Sequence, residues 1–137
     1  KINMRPGRPM AFGKIISDNK SAWLFGLPGN PVAVMVTFYF FVQNALHQMM
    51  SANSQQPITV KISAAEPIRK KTGRTEYQRG IVTTGQTGKQ TVRITGSQGS
   101  GILSSMSEAN CMVVLSHQQQ DIHAGDMVDV ILFDGLI

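Results

Sequence analysis

Apolar and polar positions along the chain fall into two regimes. Short apolar runs at 10–16 and 22–27 flank the polar cluster Ser17-Asp-Asn-Lys-Ser21, which predicts two strands joined as an antiparallel hairpin. The loop Gly26-Leu-Pro-Gly-Asn-Pro31 follows, and from Pro31 to about Met50 the chain is apolar on nearly every side. Val32, Met35, Val36, Tyr39, Val42, Leu46 and Met50 keep helical spacing, while Val34, Phe38, Phe40 and Phe41 fill other faces. This pattern predicts a helix buried between layers. β-branched residues argue for a strand, but the length of the run and its start outweigh them. Asn30 suits the N-cap and Pro31 the first helical position, so strand, loop and helix form one unit.

After the polar stretch 51–57 the pattern changes. Alternation at 58–63 and 91–95, looser alternation at 77–83, and apolar runs at 111–115 and 127–133 predict short strands. Gly85-Gln-Thr-Gly88 reads as a hairpin loop, and 104–110 as a brief helix stopped by Asn110. The expected fold class is therefore an α/β fragment, a hairpin plus a long buried helix, followed by a small all-β barrel-like domain. The boundary is expected at the polar stretch, with residues 1–53 in the first unit and 57–137 in the second.

Composition narrows the partners. Thirteen Lys and Arg against eight Asp and Glu give a formal charge of +5, a mild basic bias suited to an anionic ligand. Aromatic residues are few and the cations do not form one run, which argues against nucleic acid. A single cysteine, Cys111, excludes an internal disulfide and a multi-cysteine zinc site, and fits a reducing cytoplasm. Gln43, Asn44, His47 and Gln48 interrupt the long apolar run, so it is too short to span a membrane. The chain starts at Lys1 with no apolar signal core and is expected to come from the middle of a longer protein.

Four elements suit an anion. The start of the helix at Pro28, Gly29, Asn30 and Pro31 aims backbone N–H groups and a positive dipole end at one spot; a plain capped helix is the alternative reading. Arg5-Pro-Gly-Arg8 projects two arginines from a rigid loop. Arg69-Lys-Lys71 leads into Thr72-Gly-Arg-Thr-Glu-Tyr-Gln-Arg79, and Gly96-Ser-Gln-Gly-Ser-Gly101 offers backbone and hydroxyl donors. Taken singly, each is more simply a solvated basic loop or a linker; their joint presence points to a ligand. His47, His117 and His123 lack metal-ligand spacing, Cys111 heads an apolar strand, and the scattered carboxylates suggest no acid–base pair.

The motifs Arg5-Pro-Gly-Arg-Pro9, Phe25-Gly-Leu-Pro-Gly-Asn-Pro-Val32, Gly73-Arg74, Tyr77-Gln-Arg79, Gln98-Gly-Ser100 and Asn110-Cys111 occur in the order of one family. The chain resembles the C-terminal third of MoeA, the molybdopterin molybdenumtransferases, and their relative, the gephyrin E domain. The resemblance implies that the first unit ends a three-layer, MoaB/MogA-like molybdopterin-binding domain and that the second is the C-terminal β-barrel domain. It implies molybdate insertion into adenylylated molybdopterin with Mg²⁺ and release of AMP, in a homodimer. Adenylyltransferase or molybdoenzyme partners are implied too. Carried over, Arg5 and Arg8 stand where the family usually has lysines, and Pro6 and Gly7 shape their loop. Pro28, Gly29, Asn30 and Pro31 form the floor, and Arg79 and Ser100 face the same pocket. The chain departs at Ala33, where the family usually places a serine. Acidic, Mg²⁺-binding motifs lie upstream in the family, so these residues alone are expected not to turn over. A docking or dimerisation module on the same scaffold is the alternative function.

Overall fold

The computed structural model describes residues 2–52, 57–96, 98 and 104–134. A two-residue strand, β1 (Met4–Arg5), comes first. A cis Arg5–Pro6 bond and Gly7 turn the chain into the hairpin of β2 (Ala11–Ser17) and β3 (Lys20–Gly26). A two-residue turn with positive φ at both positions matches the twist of the strands it joins. Asp18 and Asn19 supply it at φ 47° and 64°, and fix a register that runs from Ala11 opposite Gly26 to Ser17 opposite Lys20.

The predicted helix forms with its predicted start. Asn30 caps it, its side-chain oxygen accepting the Ala33 N–H at 3.2 Å, and Pro31 occupies the first turn. α1 (Pro31–Thr37), a π-helical stretch at Phe38–Val42 and α2 (Gln43–Met49) run on as one 19-residue segment. Its buried side is a stripe of Val32, Ala33, Val36, Thr37 and Val42. Phe38, Leu46 and Met49 are exposed.

The remaining strands are β4 (Thr59–Ala64), β5 (Thr75–Thr84), β6 (Gln90–Ile94), β7 (Cys111–Leu115) and β8 (Met127–Leu132), with α3 (Ser104–Glu108) between β6 and β7. They hydrogen-bond in the order β5-β6-β4-β8-β7, and an additional β5–β7 pairing closes them into a five-stranded barrel. Alternate residues face inward, and Ile62, Val92, Cys111, Val113, Leu115 and Val128 pack its core. Gly80 is required there, because a Cβ would stand 3.0 Å from the Cys111 sulfur and 3.1 Å from Val113 and Val92.

The N-terminal strand joins this barrel. β1 pairs in parallel with β5, Met4 opposite Thr75 and Arg5 opposite Glu76. Met4 is buried with Val36 and Met112 in a second cluster, which Phe40, Phe41, Tyr77 and Phe133 complete between helix and barrel. Phe40 stacks on Tyr77 with ring centroids 4.8 Å apart.

The expected fold class is corrected. The chain is mostly β, a barrel with one long helix, and not a three-layer α/β fragment followed by a barrel. A three-layer fragment needs a sheet extending beside the hairpin, yet among the described residues β3 pairs only with β2. The helix is not buried between layers either: one stripe is covered and its outer face is open. The barrel half of the expectation formed as five strands, each within a few residues of its predicted span.

Candidate functional site

Three connections bring separated donors to one place. The β1–β5 pairing sets Arg5 beside the barrel. Gly7 packs against the helix so closely that a Cβ would lie 2.7 Å from Thr37 Cγ2 and 3.0 Å from Met4 Cε. The helix start then lies across from the barrel wall. Between them is a cleft of about 1020 Å³.

One wall of the cleft is Arg5, Pro6, Gly7, Arg8, Pro28, Asn30 and Ala33. The barrel supplies Arg69, Lys70, Lys71, Arg74, Glu76, Gln78, Arg79 and Gln98, with Asp121 behind them. Seven cationic side chains thus meet two carboxylates, a surplus that equals the formal +5 of the whole chain. Such focusing attracts anions strongly.

Arg79 is the most enclosed of these cations, only 2% exposed. Burial lowers the pKa of its guanidinium, which nevertheless stays charged at any physiological pH. Its backbone is held on both sides. The Arg79 N–H donates to Gln98 Oε1 at 2.9 Å, and the Arg79 carbonyl accepts from Gln98 Nε2 at 3.1 Å and from the Thr95 N–H at 3.0 Å. Gln98 also donates to the Thr95 carbonyl at 2.8 Å. Tyr77, one side of the same strand face, is buried enough to raise its phenol pKa.

The opposite side of β5 carries a buried ion pair. Glu76 is buried, accepting Arg74 Nε at 3.2 Å on one oxygen and Gln78 Nε2 at 2.9 Å on the other.

Of the sequence-predicted residues, Arg5, Pro6, Gly7, Arg8, Pro28, Asn30 and Arg79 come together on the cleft. Gly29 and Pro31 are not on its lining, and Ser100 lies outside the described residues. The helix start differs from expectation in one respect: the Ala33 N–H is already engaged by the Asn30 side chain. Ala33 itself is buried and faces the cleft. Sequence reasoning noted the run Arg69-Lys-Lys71 and Arg74 but did not place them in the site. It also missed Gln98 and Glu76 as supports. Their signal was the density of polar residues in 69–79, which is silent on which wall they form.

Among the described residues no three His, Cys, Asp or Glu side chains cluster to hold a metal. Asp121 Oδ1 accepts the Lys70 backbone N–H at 2.6 Å and Glu76 is taken by Arg74 and Gln78, so the carboxylates of this cleft do not fit a Mg²⁺ site.

A closed five-stranded barrel whose mouth meets a capped helix across a cationic cleft defines the class of domain. Residues 61–133 match the MoeA C-terminal region (domain IV), and the chain belongs to that family. Over its full length the chain is 35% identical to the molybdopterin molybdenumtransferase of Haemophilus influenzae, of which it spans 33%. It is also 35% identical, over 96% of its length, to that of Staphylococcus aureus strain Mu50, of which it spans 30%. The chain therefore spans about a third of the length of these curated relatives. A crystal structure of the molybdopterin biosynthesis MoeA protein of Pyrococcus horikoshii superposes with a TM-score of 0.69 at 27% identity, covering 95% of this chain and 31% of that one. A molybdenum cofactor biosynthesis protein of Pyrococcus furiosus gives 0.68 at 27% identity, covering 95% and 42%.

Proposed function

We propose that this chain takes part in molybdenum cofactor biosynthesis, supplying the oxyanion side of a molybdenumtransferase site. The observation that carries the reading is the convergence of the Arg5–Arg8 loop, the Pro28–Asn30 loop and Arg79 on one cleft. A tetrahedral dianion such as molybdate suits arginine forks better than a protein metal cage. Arg79, desolvated and clamped by Gln98, holds a fixed charge where the oxyanion sits, while exposed Arg5 and Arg8 draw it in. Ser100 adds a hydroxyl donor, and Ala33 leaves a methyl where relatives usually offer one more. The work of these residues is positioning and charge stabilisation while molybdate is inserted into adenylylated molybdopterin and AMP is released. Mg²⁺ belongs to residues outside this chain. Residues 1–53 and 57–137 act as two units of the longer enzyme, a cytoplasmic homodimer that receives its substrate from an adenylyltransferase and passes cofactor to molybdoenzymes.

Calorimetric titration of molybdate, with tungstate as a second probe, tests the site. Arg79→Gln and Ser100→Ala are each expected to weaken binding about tenfold, the loss of one charge-assisted contact of roughly 1.4 kcal/mol. Unchanged affinity in both variants overturns the assignment.

One observation favours the second reading, a docking or dimerisation module. Phe12, Ile15, Ile16, Trp23 and Leu24 of the hairpin are all exposed, covering both of its faces.

A further inference from the structure

Strand β5 divides the donors of the cleft into two sets. Successive side chains of a strand point to opposite faces. Glu76 and Gln78 stand opposite Leu115 and Val113, in the register that lines the barrel interior, whereas Tyr77 and Arg79 stand opposite Val114 and Met112. Arg79 therefore serves the side toward the helix, and Glu76 and Gln78 serve the mouth of the barrel. Arg69, Lys70, Lys71 and Arg74, in the connection that leads into β5, line the cleft with them.

This segment is fixed from within. Lys70 is buried at 6% exposure, and its ammonium donates to the Lys71 carbonyl at 2.6 Å and the Arg74 carbonyl at 2.7 Å. The Gly73 N–H donates to the His117 carbonyl at 2.9 Å, and Asn3 Nδ2 donates to the Gly73 carbonyl at 2.6 Å. Gln78 Nε2 donates to the Arg69 carbonyl at 3.0 Å. Asn3 and Gln78 are thus engaged with the backbone of the segment, and Glu76 with one of its cations, Arg74. Among the described residues, the ion pair of this wall is Arg74 with Glu76, and no carboxylate pairs with Arg69, Lys70 or Lys71. The Lys70 ammonium is met by carbonyls alone, with no carboxylate beside it, so an anion from outside would find a partner there. Glu76 engages Arg74 through Nε, which leaves the Nη edge of the guanidinium to a ligand.

We infer that the 69–74 wall is a second anion subsite, taking a phosphate ester group on Arg69, Lys71 and Arg74, with Glu76 as the positioning residue for the Arg74 guanidinium. Several cations and an arginine fork match the charge and oxygen spacing of phosphate better than those of a lone carboxylate. The inference rests on the proposed function, and deepens it by dividing the substrate: the oxyanion at Arg79, the phosphate-bearing part at the barrel mouth.

The test titrates the full chain with AMP, as a phosphate monoester, and separately with molybdate. Arg74→Gln and the double variant Arg69→Gln/Lys71→Gln are expected to weaken AMP binding at least tenfold and change molybdate affinity less than twofold. Arg79→Gln is expected to do the reverse. Glu76→Gln should weaken AMP alone, and Glu76→Asp should partly restore it; a merely structural role would move both ligands together. The subsite is overturned if the unsubstituted chain does not bind AMP, if both basic variants bind it normally, or if Arg74→Gln weakens the two ligands equally. Molybdate binding that ignores Arg79→Gln while AMP still requires Arg74 sinks the oxyanion assignment and supports the subsite.

Discussion

Arg5 stands opposite Glu76 in the parallel pairing of β1 with β5. Parallel partners present their side chains to the same face, so a residue from the first segment of the chain faces the mouth of a barrel built some seventy positions later. Met4, one residue earlier, turns the other way and is buried at 3% exposure against Val36 and Met112. These two residues fasten the arginine loop to both the helix and the barrel, and the cleft exists because they do.

The loop they hold depends on Gly7. At φ +113° a side chain is strained, and a Cβ would also overlap Thr37 Cγ2 at 2.7 Å. Strain and overpacking each cost on the order of 1–3 kcal/mol, so Gly7→Ala is expected to lose about 2–4 kcal/mol in urea unfolding. Adding Thr37→Ser removes the overlapping methyl and is expected to recover part of the loss. An unchanged midpoint for Gly7→Ala would refute the tight packing of loop on helix.

The local elements were legible because their signals are local. Ser17-Asp-Asn-Lys-Ser21 marked the turn, Asn30-Pro31 the helix start, and period-two alternation the barrel strands. The layer arrangement was not legible. Phe38, Leu46 and Met49 announce apolar surface, but an apolar residue carries no information about what covers it, and here that face is open. The site was half legible for the same reason. Arg5, Arg8 and Arg79 stood out as chemistry, whereas Gln98 acts through the backbone of Arg79, nineteen residues away, which only the folded barrel brings beside it.

Gln98 takes the place of a neighbouring strand for Arg79, satisfying its N–H and sharing its carbonyl. Gln98→Leu leaves the Arg79 N–H and the Thr95 carbonyl without that amide. Buried orphaned groups cost about 1–3 kcal/mol each, so a stability loss of at least about 2 kcal/mol is expected. Molybdate affinity is expected to fall with it, because the backbone that aims Arg79 is released. Calorimetry on this variant at a temperature where it stays folded separates the two effects, and full affinity there would remove Gln98 from the site.

The hairpin makes a prediction about association. Phe12 stacks on Trp23 at 5.2 Å with planes 10° apart, and Lys14 Nζ lies 5.4 Å from the centre of the Trp23 ring. Apolar residues exposed on both faces of a two-stranded ribbon favour burial against a partner. The Phe12→Ser/Trp23→Ser variant is expected to shift sedimentation toward the monomer with the barrel intact by circular dichroism. A distribution identical to that of the unsubstituted chain would remove the hairpin as an interface.

Cys111 ties stability to alkaline pH. The thiol is fully buried in the barrel, and burial pushes its pKa up to about 12, with the Val82 and Gly80 backbone hydrogen bonds acting weakly against the shift. Unfolded, the thiol titrates near 8.5. The folded state thus holds the proton over a window in which the unfolded state releases it. Its contribution is complete below about pH 8.5, declines as pH rises, and is gone above about 12, by up to ~1.4 kcal/mol per pH unit in between. Tyr77, raised in the same direction by burial, adds to the decline from about pH 10 upward. Cys111→Ala leaves a cavity and lowers stability at every pH, so the slope is the diagnostic quantity. Urea midpoints taken from pH 7 to 10 are expected to fall less steeply in Cys111→Ala than in the unsubstituted chain, and equal slopes would mean that the thiol is not sealed in the core.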